Sequence, residues 1–345
     1  MLNRSSTAFT LFALVSVAFS AAVQAQTAAE FYKGKDVRIL ISHPAGGGYD
    51  IYARFFAKHL STYLEGRPNV VPQNMPGAAG VIMANSIASQ QPNDGTVIGL
   101  GPGSVATAPL IGGPGARYDA RKFSWIGSMN AEVGVSIAWH DAPVKNFADL
   151  LTTELVVGGA GVTDVSIVYP AVLKNVLGAK LKIISGYGGS AGSSLAMERG
   201  ETQGVGGWGY SSLKASKPDW LRDKKVNILI QLSSFRHRDL PNIPTVFDYA
   251  KSEEQKSTLR LVLASSEMHR AIFGPAGIPD VRLKALRSAF DQMMSDERIL
   301  AEAERLNIEI NNPMPGSKMV TLVESLYRIE KTVLQAANKA MSPKE

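Results

Sequence analysis

Strand and helix signals alternate along most of this chain, which predicts an α/β protein built on mostly parallel sheets. Apolar, β-branched runs such as "VRILISH" (37–43), "TVIGLG" (96–101) and "ELVVGG" (154–159) give way to segments with helical apolar spacing, such as "DIYARFFAKHLSTYLE" (50–65) and "TDVSIVYPAVLKNVLG" (163–178). Length adds a division into parts, because 345 residues correspond to about two domains. A third observation is that glycines cluster where strands turn into helices.

The remaining elements follow in order. Strands are predicted at 69–74, 124–129, 133–140, 180–187, 202–208 and 227–232, and helices at 78–90, 104–111 and 193–200. A long amphipathic helix is predicted from about Gly316 to Met341. No low-complexity linker separates two halves, so the chain is expected to pass between lobes through ordered strands. The strand pair near 124–140 and the change of character after residue 232 are the candidate crossings. They divide the protein into a discontinuous first lobe, 27–129 plus 233–345, and an inserted second lobe, 130–232.

Residues 1–25 stand apart. Arg4 precedes an apolar stretch from Phe9 to Ala22, and small residues occupy the −3 and −1 positions (Val23, Ala25) before Gln26. This is the plan of a cleaved secretory signal peptide. The run is shorter than the roughly 20 apolar residues of a membrane span, and Ser16 and Ser20 interrupt it. A protein that does not span the membrane is expected, outside the cytoplasm. There is no cysteine, so neither a disulfide framework nor thiolate chemistry is available. The formal charge of +6 arises from Lys and Arg interleaved with Asp and Glu, without a basic stripe, which argues against nucleic-acid binding. The five histidines are scattered, with no pair at metal-ligand spacing, so no metal or other cofactor is expected.

Five strands run into glycine-rich turns: "HPAGGGYD" (43–50), "GPGSVAT" (101–107), "GGAGVTD" (158–164), "SGYGGSAGS" (185–193) and "GGWGYSS" (206–212). In an open α/β sheet such turns lie at the carboxyl ends of the strands, where ligands bind. Glycine admits close backbone approach, and the helix that follows offers unpaired N–H groups to an anion. None of the five contains Lys or Arg. The first departs from the phosphate-loop pattern because no Lys follows its glycines, and from G-x-G-x-x-G because Ile51 stands at the third glycine position. A carboxylate, unlike a polyphosphate, can be held by neutral donors. The side chains on offer include Tyr49, Ser104, Thr107, Thr163, Tyr187, Ser190, Trp208 and Ser211. The expectation is a cation-free cleft for a small organic acid, with Trp208 as an aromatic platform.

An alternative is a secreted serine hydrolase. "GGSAG" (188–192) reads G-x-S-x-G, which would make Ser190 the nucleophile, with Asp219 or Asp239 as acid and His237 or His269 as base. The short helix after Ser190 argues against it, and His237 lies in a polar, Pro-rich stretch where a solvated side chain is expected.

The succession "ILISHPAGGGYDIYARFFAKHL", "QNMPGAAGVIMANSIAS", "PNDGTVIGLG", "FSWIGSM", "ISGYGGSAGSSLAMERGETQGVGGWGYSS", "HRDLPNIPTVFDYA" and "IFGPAGIPDVRLKALRSAF" resembles the extracytoplasmic solute receptors of tripartite tricarboxylate transporters, the Bug proteins. The likeness covers almost all of the chain after residue 26. It implies a two-lobed periplasmic-binding-protein fold of type II joined by two hinge strands. It also implies a monomeric periplasmic receptor, without catalysis, that encloses a carboxylate ligand and delivers it to membrane transporter subunits. Carried over position by position, it implies ligand contacts at Gly46, Gly47, Gly48 and Asp50 in the first loop. Further contacts are implied at Ser104, Gly161, Thr163, Tyr187, Gly188 and Ser190. Three departures bear on the ligand: Gly188 stands where the family commonly has Lys, "GPG" (101–103) where many members have a polar pair, and "GGWG" where many have Asp. They point away from a dicarboxylate or citrate, and Trp208 towards a larger or aromatic acid. Asp50 is expected to serve its own helix, since acids favour a first helical turn.

Overall fold

The computed structural model describes residues 26–343 apart from 44, 47, 111–114, 160–163 and 188. The expected signal peptide therefore lies outside the described residues. The first lobe opens with α1 (Ala28–Tyr32), β1 (Asp36–Ile41), α2 (Gly48–Tyr63), β2 (Asn69–Asn74), α3 (Val81–Ser89), β3 (Val97–Gly101), α4 (Ser104–Thr107) and β4 (Ser124–Ser128). The chain then enters the second lobe through β5 (Gly134–Trp139), α5 (Phe147–Leu150), β6 (Leu155–Gly159) and α6 (Val165–Leu177). That lobe continues with β7 (Leu181–Ser185), α7 (Gly189–Glu198), β8 (Gly204–Gly209), α8 (Tyr210–Ser216), α9 (Pro218–Arg222) and β9 (Val226–Leu232). The last part comprises α10 (Glu253–Glu267), β10 (Ala271–Gly274), α11 (Asp280–Ser295), α12 (Glu297–Arg305), β11 (Met314–Pro315), α13 (Gly316–Tyr327) and α14 (Lys331–Met341).

Two sheets result, ordered β11-β4-β10-β3-β1-β2 and β7-β6-β8-β5-β9. The parallel pairs β2–β1–β3 and β7–β6–β8 are the strands that the helix alternation demands. Both sheets also hold strands that run the other way: β10 is antiparallel to β3 and β4, β11 to β4, and β5 to β8 and β9. Central strands such as β3 and β4 are buried along their whole length, as sheets covered on both faces require. β2 is the edge strand, only half buried, and there Pro72 does not break a ladder on both sides.

The two lobes are joined by paired backbone. The Glu132 N–H donates to Ser266 O at 2.9 Å, the His269 N–H to Asn130 O at 3.1 Å, and the Met129 N–H to Arg270 O at 3.1 Å. Segments 129–133 and 266–270 thus run side by side as a hinge. The change of character after residue 232 marks the end of the second sheet. The return to the first sheet comes later, because the segment from Ser233 to α10 stays outside it until β10 begins at Ala271.

The single long helix predicted for 316–341 is two helices, broken at Arg328–Glu330. No glycine or proline causes the break. Tertiary packing does: α13 lies against β4 of the first lobe, while α14 contacts both α10 and α6. One buried cluster accordingly includes Leu261 of α10, Val172 and Leu173 of α6, and Ala337 and Ala340 of α14. Asn175 on α6 donates its amide to the carbonyls of Ala340 and Ser342, each at 3.0 Å, which ties the end of α14 to the second lobe.

Candidate functional site

The first glycine loop leaves β1 at Ile41 and becomes α2 at Gly48. Gly46 has φ +81°, with open space where a side chain would begin, so its conformation is what requires glycine. The shape of the loop is set by Asp50, which is buried. One carboxylate oxygen accepts the Gly46 N–H and the Arg54 Nε–H, each at 2.9 Å; the other accepts the Asn74 amide at 2.9 Å. The same Asn74 amide donates to His43 O at 2.9 Å. The Arg54 bond, helped by Gly46 and Asn74, overcomes burial and holds the Asp50 carboxyl down at about 2. Asp50 is thus spent on its loop, its helix and Asn74, and it does not line the cavity described below.

Next to this loop stands a residue that no loop-by-loop reading reveals. Arg270 is 8 % exposed, and its guanidinium sits 4.2 Å from the Tyr49 ring centre and 4.5 Å from that of Tyr52. A Cβ added to Gly48 would lie 3.3 Å from Arg270 Nη2, so the cation is packed on the first turn of α2. Its Nε and Nη1 have no hydrogen-bond partner among the described residues. Burial, reinforced by the Arg270 charge, lowers the titration of both nearby histidines, His43 modestly and His269 well below its usual range. Arg270 does not line the cavity described below, whose described lining holds no Lys or Arg; it packs on Tyr49, one of the wall residues.

Between the lobes lies a cavity of about 590 Å³. Its first-lobe wall is formed by Tyr49, Pro102, Gly103, Ser104 and Thr107, together with Leu261, Val262 and Ser265 of α10. The second lobe contributes Gly134, Gly209 and Ser212, and Val165, Val168 and Tyr169 of α6. Glu132, Ser266 and His269 of the hinge line it too, and Asn338 and Met341–Pro343 close one end. The Glu132 carboxylate is fixed by the N-terminus of α8, accepting the Ser211 N–H at 3.2 Å and the Ser211 hydroxyl. Burial pushes its carboxyl up against those donors, and His269 Nε2 stands 3.7 Å away. Tyr169 and Ser266 join hydroxyls across the lobes at 2.7 Å.

Of the residues expected at the ligand, Tyr49 and Ser104 line this cavity, Gly46 and Gly48 frame its neighbouring loop, and Asp50 lies behind it. Gly47, Gly161, Thr163 and Gly188 lie outside the described residues, as does the side chain of Ser190 within α7. Tyr187 packs over Gly158, where an added Cβ would meet its ring at 3.0 Å. Trp208 is not a platform. On β8, Gly207 faces α6 and Gly209 faces Glu132, whereas Trp208 is buried in a separate cluster with Val133, Val135 and Trp220. There it packs edge-to-face on Trp220. The glycines of that turn serve packing: a Cβ on Gly206 would meet Pro170 at 2.4 Å, and one on Gly207 would meet Val165 O at 2.2 Å. Gly103 serves the same purpose under the end of α10, at 2.1 Å from Ser265 O.

The hydrolase alternative finds little support. His237, expected in solvent, is buried, with both ring nitrogens engaged: Nε2 lies 2.8 Å from Glu309 Oε1, and Nδ1 accepts the Asp239 N–H at 3.1 Å. The candidate acids are paired with lysines, Asp219 with Lys225 and Asp239 with Lys214, each at 2.9 Å. Among the described residues no group of His, Asp and Glu could hold a metal ion, and no helix is long and apolar enough to cross a membrane.

Comparison with known proteins places this architecture. A UPF0065 protein from the TAR-I ttuE–ttuC′ intergenic region of Agrobacterium vitis is 26% identical over 278 residues, 79% of this chain and 76% of that protein. The crystal structure of a TctC solute binding protein from Polaromonas superposes with TM-score 0.69 at 19% identity, over 89% of this chain and 99% of that one. An R. palustris protein with adipate superposes with TM-score 0.59 at 20% identity, over 88% and 97%. At those identities the two structures establish a shared fold, the two-lobed fold of periplasmic binding proteins. The family model described as the tripartite tricarboxylate transporter family receptor matches residues 52–338, from α2 into α14. The chain therefore belongs to the tripartite tricarboxylate transporter receptor family.

Proposed function

We propose that this protein is a periplasmic receptor that encloses a small organic acid between its lobes and delivers it to the membrane subunits of a tripartite tricarboxylate transporter. The observation that carries the reading is the interlobe cavity itself, walled by both lobes above a hinge of two paired backbone segments. Such a cavity opens and closes by rotation about the hinge, which is how a receptor captures and releases a solute. The adipate held by the R. palustris protein supports a carboxylate ligand. Gly46, Gly48, Tyr49 and Ser104 are the described residues proposed at the ligand, with Gly47, Gly161, Thr163, Gly188 and Ser190 proposed by family resemblance. Residues 1–25 would direct export and be removed. Catalysis has no part in this reading.

Screening of mono-, di- and tricarboxylates by thermal unfolding tests it. A ligand bound only by the folded state, at a hundredfold excess over its Kd, is expected to add about 2.7 kcal/mol of stability. A flat response across the panel, joined to ester hydrolysis that Ser190→Ala abolishes, would replace the receptor with the hydrolase.

A further inference from the structure

We propose that the end of α14 is the far wall of the ligand cavity, and that Met341 sets the length of the acid the cleft accepts. This deepens the receptor reading and rests on it.

The wall is located by the two helices beneath it. α6 of the second lobe and α10 run antiparallel across the lobe boundary and are bonded at both ends. Near the hinge the Tyr169 and Ser266 hydroxyls meet at 2.7 Å. At the other end the Gln255 amide donates to Val176 O at 2.6 Å. The start of α10 and the end of α6 are therefore remote from the hinge, by roughly 16 Å along the helix. α14 packs on both helices. Its last residues are fixed at that remote end, because the Asn175 amide donates to Ala340 O and Ser342 O at 3.0 Å each. Met341 stands between these two anchored carbonyls and lines the cavity. Asn338, one turn earlier, lines it as well but is exposed, whereas Met341 is half-buried and also packs on the core. Met341 is thus the side chain that ends the cavity.

A wall built this way sets length. α14 is seated through Ala337 and Ala340, its buried residues, which are too small to let it move closer when a neighbour is shortened. The extent of the cavity at this end then depends on the side chain at 341. Val168, Leu261 and Pro343 around it are apolar, so the far end buries hydrocarbon. Methionine is unbranched and adapts to the end of a chain, but its volume still stops one that is too long.

Calorimetric titration of the mature protein with two homologous series, butyrate to decanoate and succinate to sebacate, reads length directly. Wild-type affinity is expected to rise about fourfold per added methylene up to a limit, then to fall. Met341→Ala should move that limit outward, so that an acid about two methylenes beyond it gains about tenfold while short acids change little. Met341→Trp should move it inward, and Met341→Leu should leave it in place. Asn175→Ala releases the last residues of α14 without touching the lining, and acids beyond the limit should gain there too. Ligand-free melting of each variant checks that it folds; should Met341→Trp fail, the two alanine variants still decide. An unchanged limit in Met341→Ala, or a uniform loss at every length, would overturn the wall and leave the receptor reading standing. No saturable binding of any acid by wild type would remove the receptor reading along with the proposal.

Discussion

Asp50→Ala is expected to cost the folded protein about 3 kcal/mol, because it removes a buried carboxylate that accepts three hydrogen bonds. The Gly46 N–H and one Asn74 amide hydrogen lose their acceptor inside the protein. Arg54, about half exposed, recovers water, which keeps the cost below that of a fully buried pair. The variant is also expected to bind ligand poorly, since the conformation of the loop that leads into Gly48 depends on this carboxylate through its bond to the Gly46 N–H.

The same group makes a signed prediction about acid. Its carboxyl is lowered from 3.8 to about 2 by folding, so its contribution is complete above about pH 4 and is lost as pH falls towards 2. At about 1.4 kcal/mol per pH unit the shift corresponds to somewhat over 2 kcal/mol, reduced to about 1–2 by solvent around Arg54. Urea unfolding of wild type and Asp50→Ala should therefore show a stability gap that narrows by that amount between pH 6 and pH 2.5. A gap that stays constant with pH would show that the carboxylate is not held by its cationic partner.

The strand–helix order and the change of sheet between β4 and β5 were legible because each depends on local pattern. The chemistry of the site was less legible, and the reason is directional. Looking for ligand residues after strands works for parallel strands, whose carboxyl ends face the cleft. Arg270 and Glu132 precede strands instead. Since β10 runs antiparallel to its neighbours, its first residue pairs with Gly101 and Ser128 at their carboxyl ends, and Arg270 arrives beside Tyr49 of the cleft wall from the other direction. β5 does the same, pairing Gly134 with Gly209 at the end of β8, which brings in Glu132. A polar pair immediately before a short apolar run, "HRAIFG", was the available signal. Its meaning depended on strand direction, which no local pattern encodes.

Trp208 was misplaced for a related reason. Gly–Trp–Gly read as a turn was in fact the end of β8, where Trp208 is buried in a separate cluster with Val133, Val135 and Trp220. Likewise the break between α13 and α14 has no punctuating residue, since it follows from where two surfaces are available to cover.

The glycine clusters themselves yield a paired experiment in which one substitution should have opposite effects at two sites. Gly207→Ala is expected to destabilise the protein by about 3 kcal/mol or more, because the new methyl carbon meets backbone, Val165 O at 2.2 Å, and Tyr169 Cβ at 2.8 Å. Neither can yield without moving α6 off the sheet. Val165, Val168 and Tyr169 of that helix line the cavity, so its displacement is expected to widen the cleft and strain the Tyr169–Ser266 bond. Ligand affinity should then fall even in whatever fraction stays folded. Gly192→Ala, inside α7, meets only ordinary contacts at 3.4–3.7 Å and is expected to stabilise by up to about 1 kcal/mol through helix propensity. Urea unfolding of both variants separates the two roles that glycine plays after these strands. Equal melting of Gly207→Ala and wild type would mean that α6 does not press on β8 at this point, and that the glycines of 206–209 have the ligand-facing role their sequence first suggested.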